Sequence, residues 1–121
     1  MPRLHITGGQ RLAGTVKISG AKNSAVAVIP AALLTAAPVR IENLPDIHDI
    51  RVLVDILHFL GVKAVWENAT TLLIDASTVA KTQAPYELVK KLRASYYFMG
   101  ALLGRLGCAD VPVPGGCDLG P

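Results

Sequence analysis

Aromatic and charged side chains are both scarce in this 121-residue sequence. It contains two Phe, three Tyr and one Trp, and 17% of its residues are charged against 51% that are hydrophobic. This balance excludes an intrinsically disordered chain, because ample apolar surface is present to offset chain entropy. The shortage of aromatic residues predicts a core built from Ala, Val, Leu and Ile.

Runs of basic residues are also missing. Apart from Lys90 and Lys91, the Lys and Arg residues stand singly, and the formal net charge is +3. Segments that bind nucleic acid combine clustered cations with interleaved aromatic residues. We therefore predict no nucleic-acid partner, and the mild positive charge is compatible with a small acidic ligand.

Long apolar runs and a secretory pattern are lacking too. No apolar signal-peptide core follows Met1, and the only cysteines are Cys108 and Cys117. The longest stretch without a charged or amide side chain, residues 24–39, contains Pro30 and is shorter than the ~20 residues of a membrane-spanning helix. These absences predict a cytoplasmic protein with reduced thiols and no association with a membrane.

Strand and helix patterns alternate along the chain, as judged from the two-residue and 3.6-residue periods of apolar residues. The predicted strands are residues 4–6, 14–18, 39–41, 63–66, 71–74 and 110–113, and the predicted helices are residues 22–36, 47–60 and 86–106. Asp46 is the expected cap of the second helix, and Gly61 and Gly107 are the expected ends of the second and third. The order of elements predicts an α/β fold.

Residues 19–23 (SGAKN) join a predicted strand to a predicted helix. Unpaired N–H groups at a helix start attract anions, and the ammonium of Lys22 adds a full positive charge at that point. The pattern is therefore compatible with an anion-binding site. A solvated lysine beside an ordinary helix start is the alternative that these residues leave open.

Lys90 and Arg93 lie three residues apart on the third predicted helix, so they are expected to share a face. The planar guanidinium of Arg93 suits a carboxylate or phosphate, and the small residues Ala94, Ser95 and Gly100 leave room for a ligand. A solvated surface arginine explains the same pattern.

Cys117 follows two glycines in residues 114–117 (PGGC), which predicts a loop that can move a thiol. Such a thiol could act as a nucleophile or a proton donor, or it could be an unreactive loop cysteine. The three histidines, His5, His48 and His58, lack metal-ligand spacing, so we predict no metal site.

Together these segments resemble the UDP-N-acetylglucosamine 1-carboxyvinyltransferase family of enolpyruvyl transferases. The matching segments are residues 12–23 (LAGTVKISGAKN), 31–34 (AALL), 84–95 (APYELVKKLRAS) and 114–117 (PGGC). They follow the family order at family-like spacing. The resemblance covers nearly the whole chain from Leu4, and the combination of motifs is highly specific.

The resemblance implies an inside-out α/β barrel of two similar domains, each made of repeated βαβαββ units, of which this chain is the N-terminal part. Residues 1–20 would belong to the second domain, beside strands from the C-terminal half, and residues 21–121 would form part of the first domain. Members of the family continue for roughly 300 further residues, two or three domains' worth. The chain therefore needs the missing C-terminal part and should not catalyse by itself.

The resemblance also implies a reaction and residue roles. The enolpyruvyl group of phosphoenolpyruvate is transferred to the 3′-hydroxyl of UDP-N-acetylglucosamine with release of phosphate, the first committed step of peptidoglycan precursor synthesis, without a metal or other cofactor. Lys22 and Asn23 match residues that hold phosphoenolpyruvate and sugar groups. Arg93 matches a ligand-binding arginine, and Cys117 matches the catalytic cysteine that fosfomycin alkylates.

Two other functions remain open from the sequence. The sibling enolpyruvyl transferase of the shikimate pathway shares the fold and phosphoenolpyruvate, but its turn typically reads Gly-Ser-Lys-Ser and it lacks the PGGC segment. A non-catalytic paralogue that binds nucleotide sugar or a protein and regulates cell-wall synthesis is the other alternative. The presence of Lys22, Arg93 and Cys117 favours an enzyme, because a degenerate paralogue would more readily have lost one of them.

Overall fold

The computed structural model describes residues 3–112. The helices are α1 (Lys22–Ala31), α2 (His48–Phe59), α3 (Tyr86–Val89) and α4 (Tyr97–Leu106), and the strands are β1 (Val39–Ile41), β2 (Lys63–Asn68) and β3 (Thr71–Asp75). Two short 3-10 helices accompany them, at Ala32–Leu34 after α1 and at Arg93–Tyr96 before α4.

The three strands form one antiparallel sheet with β3 in the centre. β2 and β3 make a hairpin, and at its turn the Thr70 N–H donates a hydrogen bond of 2.9 Å to the side-chain oxygen of Asn68. β1 and β2 run in the same direction on either side of β3, and α2 links them, since a parallel connection needs a crossover. The predicted hairpin and the predicted strand at residues 39–41 are confirmed.

The core lies between α2 and one face of the sheet, and α1 packs against both α2 and α4. Its fully buried side chains are almost all aliphatic, with Phe98 as the aromatic member. Burying one such side chain stabilises a fold by about 1.5–3 kcal/mol. The aliphatic core expected from the composition is therefore confirmed within the described residues.

The predicted strands at residues 4–6 and 14–18 are wrong for this structure, because residues 3–21 contain no regular element. Their apolar side chains are almost fully exposed: Leu12 is 92% exposed and Ile18 is 80% exposed. An alternating pattern becomes a strand only when a neighbouring strand accepts its backbone hydrogen bonds. These residues have no such neighbour in the described chain.

The first two predicted helices form, with changes at their ends. α1 stops at Ala31 and continues as a 3-10 turn to Leu34 rather than reaching residue 36. Pro30 lies inside α1 and lacks the N–H that would bond to the Val26 carbonyl, so one α-helical hydrogen bond is missing just before the tighter turn. Asp46 does not cap α2: the cap position is Ile47, and the Asp46 carboxylate instead accepts hydrogen bonds from Arg51.

The long helix predicted for residues 86–106 is interrupted. α3 ends after one turn, and the backbone is extended at Leu92 (φ −143°, ψ 117°) before the 3-10 turn that leads into α4. The fully buried Ser95 hydroxyl donates to the Leu92 carbonyl at 2.6 Å and lies 3.3 Å from the Val89 carbonyl. These local bonds compete with continuous helix, and they stabilise the break.

The end of the chain is only partly described. Gly107 closes α4 in the left-handed conformation (φ 72°), as predicted. The strand predicted at residues 110–113 is reduced, up to residue 112, to a single parallel bridge between Asp110 and Gln83. In residues 3–112, no helix is long and apolar enough to cross a membrane.

Candidate anion-binding site

Lys22 is the first residue of α1. The preceding residue, Ala21, is extended and offers no side-chain cap, and the first helical bond is donated by the Ala25 N–H to the Ala21 carbonyl at 3.1 Å. The N–H groups of the first turn therefore have no acceptor within the helix. The other end of α1 is fixed by the fully buried Ile29, so the helix start is held on a rigid element.

The start of α2 faces the start of α1. The Lys22 ammonium lies 2.5 Å from the Asp49 carboxylate, and Asp49 is in the first turn of α2. The cap position of α2, Ile47, likewise offers no side-chain hydrogen bond. The two uncapped helix starts thus meet at this ion pair, and the Asp49 carboxylate offsets part of the positive potential of the ammonium and of the helix starts.

A close backbone contact holds this arrangement together. A Cβ atom at Gly20 would overlap the carbonyl oxygen of Asn43 and would lie 2.9 Å from its carbonyl carbon. Asn43 has a positive φ of 58°, and on its far side the Leu44 N–H donates to the Thr70 carbonyl at 2.8 Å. The turn between β1 and α2 is therefore packed closely against the segment that precedes α1.

A groove of about 250 Å³ opens at this contact. Its walls are the start of α1, from Gly20 to Val28, and the chain that leaves β1, including Glu42 and Asn43. The lining residues flank Lys22 in the chain, and Lys22 itself is not among them.

We expect Gly20→Ala to lower the free energy of unfolding by about 1–3 kcal/mol, because the added methyl group meets backbone that cannot turn aside. Gly100→Ala is the matched control: a Cβ there meets nothing within 4 Å, and alanine favours helix by up to about 1 kcal/mol. Chemical denaturation of both variants measures the difference. Equal stability of the two variants would contradict the role of the Gly20 contact.

The other predicted site residues fall in three places. Asn23 follows Lys22 and is exposed at the start of α1. Arg93 is the exposed first residue of the 3-10 turn Arg93–Tyr96, and that turn contacts α1. Cys117 lies outside the described residues. Lys22 and Asn23 are thus consecutive exposed residues at the start of α1, and the turn that carries Arg93 contacts the same helix.

The expectation that Lys90 and Arg93 share one helical face is wrong, because the helix breaks between them. Lys90 instead pairs with Glu87 at 2.5 Å, and this hydrogen bond raises the pKa of the exposed Lys90 ammonium. Lys90 is therefore occupied by a neighbour on its own helix.

Asp49 is the residue that sequence reasoning missed. An acidic residue in the first turn of a helix is ordinarily explained by its favourable interaction with the helix dipole. Its pairing with Lys22, 27 positions away in the chain, depends on how α1 and α2 pack, and one sequence carries no signal of that packing.

Residues 3–112 contain no cluster of three or more His, Cys, Asp or Glu side chains that could hold a metal ion. His58 contacts the Ala64 carbonyl through Nε2 at 2.8 Å. Cys108 is a free and exposed thiol.

Comparison with known proteins gives a consistent family assignment. Residues 6–121 match the family model of EPSP synthase (3-phosphoshikimate 1-carboxyvinyltransferase). The UDP-N-acetylglucosamine 1-carboxyvinyltransferase 2 of Lactococcus lactis is 50% identical over 123 residues, which cover all of this chain and 29% of that protein. The protein of the same name from Listeria monocytogenes is 52% identical over 119 residues, covering 98% of this chain and 28% of its own length.

The fold is similar to a solved structure. The crystal structure of the enolpyruvyl transferase NikO from Streptomyces tendae superposes with a TM-score of 0.74 at 42% identity, and the match covers 84% of this chain and 24% of that chain. This likeness and the mixed helix and strand content confirm the predicted fold class. The chain spans less than a third of the length of these relatives.

Proposed function

We propose that this chain supplies the N-terminal part of an enolpyruvyl transferase, because it belongs to the EPSP synthase (3-phosphoshikimate 1-carboxyvinyltransferase) family. Its substrates would be phosphoenolpyruvate and UDP-N-acetylglucosamine, the acceptor in the name of relatives about 50% identical to it. The active protein would combine this chain with the remaining length that those relatives have. That combination is called the completed enzyme below.

The observation that carries the proposal is the Lys22 ammonium at two converging, uncapped helix starts. Phosphoenolpyruvate carries a phosphate and a carboxylate, so its site must supply several positive groups. A helix start contributes only about 0.3–1 kcal/mol to an exposed anion, whereas a hydrogen bond to a charged group contributes about 1.5–3 kcal/mol. The ammonium therefore makes the larger contribution to anion binding, and the helix starts orient the anion.

The reaction would proceed by proton transfer and addition. A proton donor protonates C3 of phosphoenolpyruvate, which makes C2 electrophilic, and the 3′-hydroxyl of the sugar adds to C2 as a general base in the remaining length of the enzyme takes its proton. Return of a proton from C3 to the deprotonated donor, with departure of phosphate from C2, then leaves the enolpyruvyl ether. Cys117 is the proposed proton donor, Lys22 and Arg93 the proposed anion-binding cations, and Asn23 a substrate-binding residue.

The proposed setting follows from the substrates. UDP-N-acetylglucosamine and phosphoenolpyruvate are cytoplasmic metabolites, so we place the completed enzyme in the cytoplasm, in peptidoglycan precursor synthesis and in the cell growth and division that depend on it. Residues 1–20 would pair with strands of the second domain, which agrees with the exposure of Leu12 and Ile18 in the isolated chain.

A second function is favoured by one observation, the family model's description as 3-phosphoshikimate 1-carboxyvinyltransferase. An assay of phosphate release by the completed enzyme separates the two. We expect release from phosphoenolpyruvate with UDP-N-acetylglucosamine, none with either substrate alone, and none with shikimate 3-phosphate as acceptor. Release with shikimate 3-phosphate only would support the second function, and no release with either acceptor would support a non-catalytic binding protein.

A further inference from the structure

The Asp49 carboxylate is the direct partner of the Lys22 ammonium, at 2.5 Å. The Asp49 side chain is 26% exposed, whereas the carboxylate of the neighbouring pair, Asp46 with Arg51, is 60% exposed. Both pairs lie at the start of α2. The contact to Lys22 is therefore the better shielded of the two from solvent screening.

Asp49 is attached to a rigid support. It is the second residue of α2, and the next residue, Ile50, is fully buried, as are Leu53 and Leu57 one and two turns further on. Lys22 has a flexible four-carbon stem, and its side chain is 54% exposed. A lysine of this kind samples many rotamers unless a fixed partner restricts it, and Asp49 is placed to be that partner.

We infer that Asp49 is a positioning residue, which holds the Lys22 ammonium over the converging starts of α1 and α2 for the anionic substrate. This inference rests on the proposed function, because it gives Lys22 a substrate to meet. Asp49 has a second effect that opposes the first. Its negative charge lowers the affinity of the empty site for anions, so that phosphate, the product, is held less tightly.

These two effects separate in kinetics. Removing the charge with Asp49→Asn should lower kcat by about tenfold, because Lys22 is no longer held in its productive position. The KM for phosphoenolpyruvate should not rise, since a repelling charge has been removed. For the same reason inorganic phosphate should inhibit at concentrations lower by about fivefold, the size of a single charge contact at 4 Å in water. Asp49→Glu keeps the charge and should recover part of kcat.

The alternative is that Asp49 only stabilises the start of α2. Asp46→Asn is the matched control, because it removes a carboxylate and an ion pair at the same helix start without touching Lys22. We expect Asp46→Asn to leave kcat and phosphate inhibition unchanged. Thermal unfolding of both variants reports any loss of stability separately from the kinetics.

The experiment compares kcat, KM and phosphate inhibition in the completed enzyme for these variants and for Lys22→Ala with and without Asp49→Asn. In the absence of Lys22, Asp49→Asn should have no further effect on kcat. The inference is overturned if Asp49→Asn behaves like Asp46→Asn, or if it acts equally when Lys22 is absent. If Lys22→Ala itself keeps normal turnover, the anion site of the proposed function fails, and the inference about Asp49 fails with it.

Discussion

Lys22→Ala should lower kcat of the completed enzyme by about a hundredfold to a thousandfold, the usual loss when one preorganised charge-stabilising group is removed from an active site. The physical reason is that the ammonium is the strongest positive group at the two helix starts, which remain uncapped after the change. The KM for phosphoenolpyruvate should rise as well, because the group meets the anion in the ground state. Steady-state phosphate release measures both quantities.

Lys22→Arg tests whether charge alone is sufficient. The guanidinium keeps the positive charge but is planar and presents a fork, which would pair in a bidentate way with the Asp49 carboxylate 2.5 Å away from the present ammonium. We therefore expect poor rescue. Near-normal turnover and affinity in Lys22→Ala would contradict the anion-site assignment, and full activity in Lys22→Arg would show that compactness is unimportant.

The elements that the sequence predicted well are those that depend on local patterns. α2 forms within one residue of its predicted span at each end, because apolar residues recur every three and four positions and Ile50, Leu53, Val54 and Leu57 are all buried. Gly61 and Gly107 end their helices with φ of 84° and 72°, which suits glycine. The hairpin around Asn68 forms because the Asn68 side-chain oxygen accepts a hydrogen bond from the Thr70 N–H within the turn.

The elements that failed depend on distant partners or on side-chain competition. Residues 14–18 carry a good strand pattern, but no described strand lies beside them, so Val16 and Ile18 stay exposed. The helix break at Leu92 depends on the Ser95 hydroxyl reaching the Leu92 carbonyl, which a helical period does not reveal. Helix propensity favours a continuous helix here, but the hydrogen bond of the buried Ser95 hydroxyl stabilises the break.

The candidate site shows the same division. Lys22 is a candidate from the sequence because a lysine at a glycine-flanked helix start favours anions there. The partners that position it, Asp49 and the Gly20 contact with Asn43, come from the turn after β1 and the helix that follows. Their proximity results from the packing of α1 on α2, which local sequence patterns do not predict.

Cys117→Ser should abolish most turnover of the completed enzyme, by about 10²–10⁴-fold, the usual contribution of a positioned general acid. The proposed step needs a group that delivers a proton to C3 of phosphoenolpyruvate. A thiol has an ordinary pKa near ~8.5 and can do so near neutral pH, whereas a serine hydroxyl is far too weak an acid. The two side chains are otherwise close in size, so the comparison isolates acidity.

Cys117→Asp separates acid function from sulfur chemistry. A carboxyl group can also deliver a proton when a bound anionic substrate disfavours its charged form, so we expect measurable turnover. A carboxylate is a much weaker nucleophile than a thiolate, so this variant should escape alkylation by fosfomycin, which mass spectrometry of the treated protein would detect.

The opposing hypothesis treats Cys117 as a bystander that is merely alkylated, with fosfomycin acting by blocking the site. Full activity in Cys117→Ser would decide for that hypothesis, because a bystander's acidity is irrelevant to turnover. Loss of activity in Cys117→Ser together with retention in Cys117→Asp can be explained only by a requirement for an acid at this position.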